Sequence, residues 1–391
     1  MLDYLLILSL LGLTLGFAPM GFAFHTRAAA SLAPLRNDDR MNKVVLFMKL
    51  GENDKVIVVG VAADSGCGKS TFMRRLTKVF GGAEVGPLGG GFDNGGWETN
   101  TLVSDMTTVI CLDDYHLNDR QGRKNSGRTA LHLKEQRFDL MYEQIKALKE
   151  GNEIAKPIYN HVNGTLDTPE MIKPTPIVII EGLHPIADKK VHSLLDFSVY
   201  LDVSDDIKSA WKIQRDMAER GWTREQVLES IEQRKPDFDA YVLPQRNEAD
   251  VVLSVLPSEI SQEEVGKHLK VEMIQRTGMD LFTPASMSVD KATPDIATFA
   301  KCGVELKREV RNFAGRSVEV VSMDGRLEDI KDFTKIEPML TNTAAKSSTE
   351  LSDELIKIGP NSPGSLDGTG LFQTLTALKL REVYEKFTTA A

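Results

Sequence analysis

Apolar positions along this chain fall into short unbroken runs separated by polar, glycine-marked turns. Three runs stand out: Ile57-Val58-Val59-Gly60-Val61, Thr108-Val109-Ile110-Cys111-Leu112 and Ile177-Val178-Ile179-Ile180. β-Branched runs of this length predict strands buried on both faces, as in a parallel sheet. The first leads into a glycine turn, Ala63-Asp64-Ser65-Gly66-Cys67-Gly68-Lys69-Ser70-Thr71, and then into a helical pattern over 72–80. The second ends on Asp113-Asp114 and the third on Glu181-Gly182. A helix is predicted over 205–219, capped by Ser204 and closing near Gly221. Eight of the sixteen residues from Gly81 to Gly96 are glycine, which predicts a flexible surface loop with no regular element. Beyond residue 257 the pattern mixes short strands such as Val318-Glu319-Val320-Val321 with a turn at Asn361-Ser362-Pro363-Gly364 and a helix over 371–387. The expected class is α/β: a core at 51–257 with a mostly parallel sheet flanked by helices, and an α+β extension with a terminal helix at 258–391.

Composition narrows the function. Of 391 residues, 41% are apolar and 26% charged, as in a soluble globular protein able to bury a full core. Lys and Arg number 47 against 56 Asp and Glu, a net charge of −9. That balance argues against a general nucleic-acid binder, which needs excess cations for phosphates. Cys67, Cys111 and Cys302 are too few for a disulfide scaffold and lack the sequence spacing of a zinc site.

Residues 4–24 carry no charge and read as the apolar segment of a signal peptide, broken by Gly16, Pro19 and Gly21. Residues 25–50 begin small, hydroxylated and basic, with no acid until Asp38, which is transit-peptide composition. Signal followed by transit resembles the bipartite presequence of algae with secondary plastids. It predicts a mature protein in the plastid stroma, without a membrane span.

The chemistry centres on the glycine turn. Strand, glycine turn, Gly-Lys-Ser and helix form the context of a phosphate-binding loop. Gly66 and Gly68 let backbone N–H groups, with the helix N-terminus, surround phosphate oxygens. Ser65, Cys67 and Thr71 belong to the same cradle, Lys69 adds a cation, and the Ser70 hydroxyl suits Mg²⁺. Ala63 stands where the general pattern has its first glycine. Carboxylates at the C-terminal tips of parallel strands face the ligand crevice of an open α/β sheet. Glu181 is therefore a candidate Mg²⁺ ligand, and Asp113 or Asp114 a candidate base for an attacking hydroxyl. On the helix over 205–219, Lys212, Arg215, Asp216 and the following Arg220 share one sector of roughly 140°. A solvated salt-bridged face is the plainer reading of such a cluster; beside a phosphate loop it suits a lid for a transferring phosphoryl group. His116, Arg120, Arg123, Lys124, Arg128, Tyr159 and His161 combine imidazoles, guanidiniums and a phenol, a set fit for a phosphorylated sugar.

These motifs, in this order, resemble the phosphoribulokinase family in its plant and algal form. The resemblance is carried by residues 62–76, 109–116, 156–161, 180–185, 211–217 and 234–241, and by Gly368-Thr369-Gly370-Leu371-Phe372-Gln373-Thr374. It runs from about Lys55 to about Phe387, dense to residue 257 and patchier beyond. It implies a P-loop kinase fold related to uridine kinase. The implied reaction uses ATP and Mg²⁺ to convert ribulose 5-phosphate into ribulose 1,5-bisphosphate for carbon fixation. It assigns Asp113 as base, with Asp114 its rival by adjacency, and Lys212 and Arg215 as transition-state cations. Asp216 becomes a second carboxylate near the metal, with Ser70 and Glu181. His116, Arg120, Lys124, Tyr159, His161 and Arg220 would hold the sugar phosphate. A homodimer is also implied.

The resemblance gives the cysteines a role, a Cys67–Cys111 disulfide that shuts off ATP binding and is reopened by thioredoxin. Its position near a helix N-terminus and Lys69 predicts a lowered Cys67 pKa. The second plant-type pair is missing, because Arg308 stands where Cys302 would find its partner. That argues against tight assembly with glyceraldehyde-3-phosphate dehydrogenase through a disordered linker protein. A uridine or pantothenate-type kinase is the rival enzyme, lacking the Cys67/Cys111 pair and the C-terminal Gly-Thr-Gly motif. A guanine-reading switch would carry an [Asn/Thr]-Lys-x-Asp element, and Thr77-Lys78-Val79-Phe80 and Thr334-Lys335-Ile336-Glu337 both lack the Asp.

Overall fold

The computed structural model describes residues 55–81, 84–88, 101–261, 267–288 and 303–389. The expected leader at 1–24 and 25–50 and Cys302 lie outside these residues.

A single ten-stranded sheet organises the chain. Its first strand, β1 (Ile57–Ala63), is buried at every position and is followed by helix α1 (Lys69–Phe80). Next come β2 (Glu84–Leu88), β3 (Thr101–Ser104) and β4 (Thr107–Cys111), then α2 (Arg120–Ser126) and α3 (Phe138–Lys149). A separate hairpin pairs β5 (Ile154–Tyr159) with β6 (Leu166–Ile172). The chain re-enters the sheet as β7 (Ile177–Gly182), passes the short α4 (Lys189–His192), and returns as β8 (Phe197–Val203). Helices α5 (Asp205–Arg220) and α6 (Arg224–Asp237) precede β9 (Val251–Pro257).

Strands β9, β8, β1, β7 and β4 lie side by side and parallel. Three of them, β1, β4 and β7, are the β-branched runs of the sequence, and burial on both faces is what such runs require. Beyond β9 the direction changes: β10 (Leu269–Arg276), β13 (Arg316–Gly325) and β12 (Val304–Phe313) add antiparallel strands at that flank. A small pair joins β11 (Ser286–Met287) to β14 (Leu340–Thr341), and helices α7 (Phe333–Ile336), α8 (Glu350–Ile358) and α9 (Gly368–Thr389) complete the chain. The boundary expected at 257/258 is thus a change of strand direction inside one sheet. One apolar core runs from Ile57 through Leu76, Val271 and Met323 to Val383.

Helix α9 is buried nearly all round, with Leu371, Phe372, Leu375, Leu378 and Leu380 at most 1% exposed. It is tied to the phosphate-loop helix by Arg75, itself 2% exposed. The Arg75 guanidinium donates to Gln373 Oε1 at 3.2 Å, the Pro363 carbonyl at 2.7 Å and Ser365 Oγ at 3.3 Å.

Two expectations need correction. The glycine-rich stretch does hold a regular element, because β2 pairs antiparallel with β3 at the edge of the sheet. An edge strand makes its ladder bonds on one side only, so it tolerates Gly86 and Pro87, and the register shifts between Val85 and Leu88. The remainder of that stretch, 89–96, lies outside the described residues. Ser204 does sit at the N-cap of α5, but its hydroxyl makes no capping bond. Its backbone carbonyl instead accepts from Lys208 N at 2.9 Å.

Candidate active site

The C-terminal ends of β1, β4 and β7 meet at one edge, where the register pairs Glu181 with Val61 on one side and with Cys111 on the other. The glycine turn leaves β1 there. Gly66 at φ 89° and Gly68 at φ 79° occupy the left-handed region that side chains rarely adopt. A Cβ at Gly66 would only touch the Lys212 Cβ at 3.4 Å, so it is the loop's curl that requires glycine. The 69–72 turn of α1 opens behind Gly68, presenting helix N–H groups towards the crevice.

Lys69 stands over the strand tips. Burial works against its charge, but Glu181 and then Asp113 outweigh it and hold its pKa above the usual lysine value. Asp113 is 30% exposed on its side chain and lies 3.7 Å from His161 Nε2. Burial alone would raise its pKa; His116, His161, Lys69 and Arg234 together bring it below the usual carboxylate value. Asp113 is therefore ionised and reachable, as a base must be.

Asp114, one residue on, faces inward and is 2% exposed. One of its oxygens takes the Lys156 ammonium and the other accepts Tyr159 N at 2.8 Å. Lys156 also reaches Glu170 at 3.0 Å. Burial pushes the Asp114 carboxyl up and Lys156 pulls it back. Its oxygens are spent on joining the β4 tip to the β5–β6 hairpin.

Helices α5 and α6 close over the loop. Asp216 is fully buried and accepts Lys212 Nζ at 2.5 Å and Arg215 Nε and Nη2 at 3.0 and 2.8 Å. In this arrangement it fixes the two cations rather than opening to a metal. Arg215 Nη2 also donates to Ser65 Oγ at 3.1 Å. Burial lowers the Lys212 pKa. The Arg220 side chain lies outside the described residues.

Beside Asp113 lies an aromatic and imidazole stack. Tyr159 stands edge-on to His116 at 5.2 Å and to His161 at 5.0 Å between ring centroids. His116 is 2% exposed, and burial lowers its pKa to about 4, so it is neutral at physiological pH. Arg120 faces backbone, donating to the His161 carbonyl at 2.6 Å and to the Val162 carbonyl at 3.4 Å. Lys124 is exposed on α2. Arg128 pairs with the fully buried Glu135 at 3.4 Å, a structural role.

Three residues at this edge, Asp64, Lys208 and Arg234, were not singled out as site residues by the sequence. Asp64 accepts Arg234 Nη2 at 3.1 Å and its own loop's Ser65 N at 2.7 Å, and lies 3.6 Å from Lys208 Nζ. It thus ties α5 and α6 to the phosphate loop. Arg123 donates to the Tyr159 hydroxyl at 2.6 Å with its guanidinium carbon 4.9 Å from that ring's centroid. Asp64 and Arg234 carried a usable signal in their motifs, at 62–76 and 234–241, whereas Lys208 carried none.

The cysteines correct one expectation. Cys67 and Cys111 are free and buried, 6% and 9% exposed. Burial, with Asp64 adding to it, pushes the Cys67 thiol up to about 12, outweighing Lys208 and Lys69. Cys111 is raised well above the usual value by burial and then Glu181. Proximity to a helix N-terminus does not activate a thiol that has lost its water. Arg308, at the position of the missing second pair, donates to Glu319 Oε1 at 2.5 Å.

The chain is similar to known proteins to different extents. The model for the "Phosphoribulokinase / Uridine kinase family" matches residues 58–261. A chloroplastic phosphoribulokinase of Chlamydomonas reinhardtii is 48% identical over 374 residues, covering 93% of this chain and 97% of that one. The chloroplastic phosphoribulokinase of Spinacia oleracea is 51% identical over 339 residues, 85% of this chain and 83% of its own. A Synechocystis phosphoribulokinase is 46% identical, covering 86% of this chain and 97% of that protein. The uridine kinase of Borrelia duttonii is 26% identical over 208 residues, 51% of this chain.

Proposed function

This chain belongs to the phosphoribulokinase and uridine kinase family, and from that premise we propose that it transfers the γ-phosphate of ATP to the C1 hydroxyl of D-ribulose 5-phosphate. The products are ribulose 1,5-bisphosphate and ADP, the step that prepares the acceptor for carbon fixation. The observation that carries this reading is the similarity across 97% of the length of the Chlamydomonas phosphoribulokinase, against a uridine kinase match confined to 51% of this chain.

The geometry supports an in-line transfer governed by position and charge. Asp113, ionised at the crevice, takes the C1 proton while that oxygen attacks the γ-phosphorus and ADP leaves. Lys69 and the N–H groups of the loop hold the triphosphate. Lys212 and Arg215, set by Asp216, face the loop at Gly66 and Ser65 and stabilise charge on the phosphoryl oxygens in flight. Ser70 and Glu181 offer the all-oxygen donors that Mg²⁺ prefers, and a bound Mg²⁺ would neutralise phosphate charge. Tyr159, His161, His116, Arg120, Lys124 and Arg220 form the sugar-phosphate side.

We place the protein in the plastid stroma, in keeping with the chloroplastic relatives, and as a homodimer. No described helix is long and apolar enough to cross a membrane. A Cys67–Cys111 disulfide reopened by thioredoxin is the proposed switch. Cys67 lies in the turn after β1 and Cys111 ends β4, with β7 between the two strands, so the disulfide would tie the phosphate loop to the β4 tip. Steady-state ADP release with ribulose 5-phosphate and with uridine, before and after oxidant, tests the reading. Preference for the sugar phosphate that falls on oxidation is expected; preference for uridine would overturn it.

A further inference from the structure

Cys111, Asp113 and His161 converge from two parts of the fold. Cys111 ends β4, Asp113 follows it in a single turn of 3₁₀ helix, and His161 arrives just after β5. One donor atom from each lies within 4.8 Å of the others. The His161 Nε2 is buried and has no hydrogen-bond partner, and it points at Asp113 Oδ2 from 3.7 Å. We propose that these three side chains form a second cation site that takes a thiophilic divalent ion such as Zn²⁺ and holds the protein inactive while it is bound.

A thiolate, an imidazole and a carboxylate are zinc ligands, whereas Mg²⁺ prefers oxygen alone, so the ion of phosphoryl transfer does not compete on equal terms. Tetrahedral zinc, with bonds of about 2.0–2.3 Å, sets its donors about 3.3–3.8 Å apart. The cluster therefore needs to contract by up to about 1.5 Å. Binding releases the Cys111 thiol proton to solvent, and the ion is then held by sulfur, nitrogen and oxygen with a fourth position open. Glu181 and Asp114 add negative potential at Cys111, while Lys69 opposes it. The residues lie 50 positions apart in sequence, which is why cysteine spacing alone gave no sign of a metal site.

The consequence for catalysis rests on the kinase reading, but the binding does not. A ligated Asp113 cannot accept the C1 proton, and a ligated Cys111 cannot enter a disulfide. Titrating Co²⁺ into the reduced full chain, without nucleotide, reads the site directly through thiolate-to-cobalt charge-transfer absorption. One equivalent should saturate the band, Zn²⁺ should displace it, Cys111→Ser should abolish it and Cys67→Ser should retain it. His161→Asn, at a partly exposed side chain, guards against a folding defect and should weaken binding by about 10–100-fold or more. No band, or a band unchanged in both Cys111→Ser and His161→Asn, would overturn the site. A band accompanied by full ADP release under saturating Zn²⁺ would overturn the inhibitory role.

Discussion

The two flanks of the sheet treat charge differently. Where the parallel strands end, Asp113, Glu181 and Lys69 act on one another across a crevice that leaves Asp113 30% exposed. On the antiparallel flank, each buried carboxylate is consumed by a fixed partner. Glu319 is gripped by Arg308, Glu272 accepts Arg311 at 2.7 Å, and Glu337 caps α8 by accepting Leu351 N and Ser352 N. Among the described residues, the parallel part brings strand C-termini and the α1 N-terminus to one edge, and Asp113 stays partly exposed there. The same contrast recurs between neighbours: Asp113 is available, while Asp114 is locked to Lys156. Burial and partner count, more than charge, separate chemistry from scaffolding.

The neighbouring aspartates give the sharpest way to break this comparison. Asp113→Asn should lower kcat by about 10²–10⁴-fold with ATP affinity nearly intact, read by turnover and nucleotide titration. Asp114→Asn should instead destabilise the fold by about 3 kcal/mol, because the buried Lys156 then keeps Glu170 as its one carboxylate partner, read by denaturant unfolding. If the two phenotypes were exchanged, the division between open and locked carboxylates would fail. Arg75→Met should come next, at about 2–3 kcal/mol, because it removes charge-assisted bonds between α1 and the start of α9. A raised ATP KM should accompany that loss, since α1 carries the phosphate loop.

A pH scan of stability gives an effect spread over more than two pH units. Burial lowers His184 to about 4, from the ordinary 6.5. The unfolded chain therefore binds the proton first, so stability is full above pH 6.5 and falls as pH drops towards 4. The slope is about 1.4 kcal/mol per pH unit per histidine in that window, and His184→Gln should flatten it by one proton. Smallest of all, Arg308→Ala, at a side chain 44% exposed, should change stability by no more than about 1 kcal/mol.

Much of the site was legible because phosphate binding needs glycine at defined positions and β-branched strands on either side. Those demands are local and leave their mark on consecutive residues. The Asp64 hub, the Arg123–Tyr159 contact and the Cys111–Asp113–His161 cluster were not legible, since each joins elements by tertiary packing alone. The residues alone left Asp113 and Asp114 open for the same reason, because the contacts of the β5–β6 hairpin decide which carboxylate is covered. The expected activation of Cys67 reversed because desolvation, invisible in a motif, outweighs a nearby lysine. Strand β2 was missed because glycine content measures backbone freedom, and an edge strand still constrains it.

The most direct test of the central claim is to identify the product by ³¹P NMR after incubating the reduced protein with Mg-ATP and ribulose 5-phosphate. The account predicts a second sugar phosphomonoester at C1, appearing in step with ADP. ADP without that signal, or a phosphorylated product only when uridine is supplied, would contradict it.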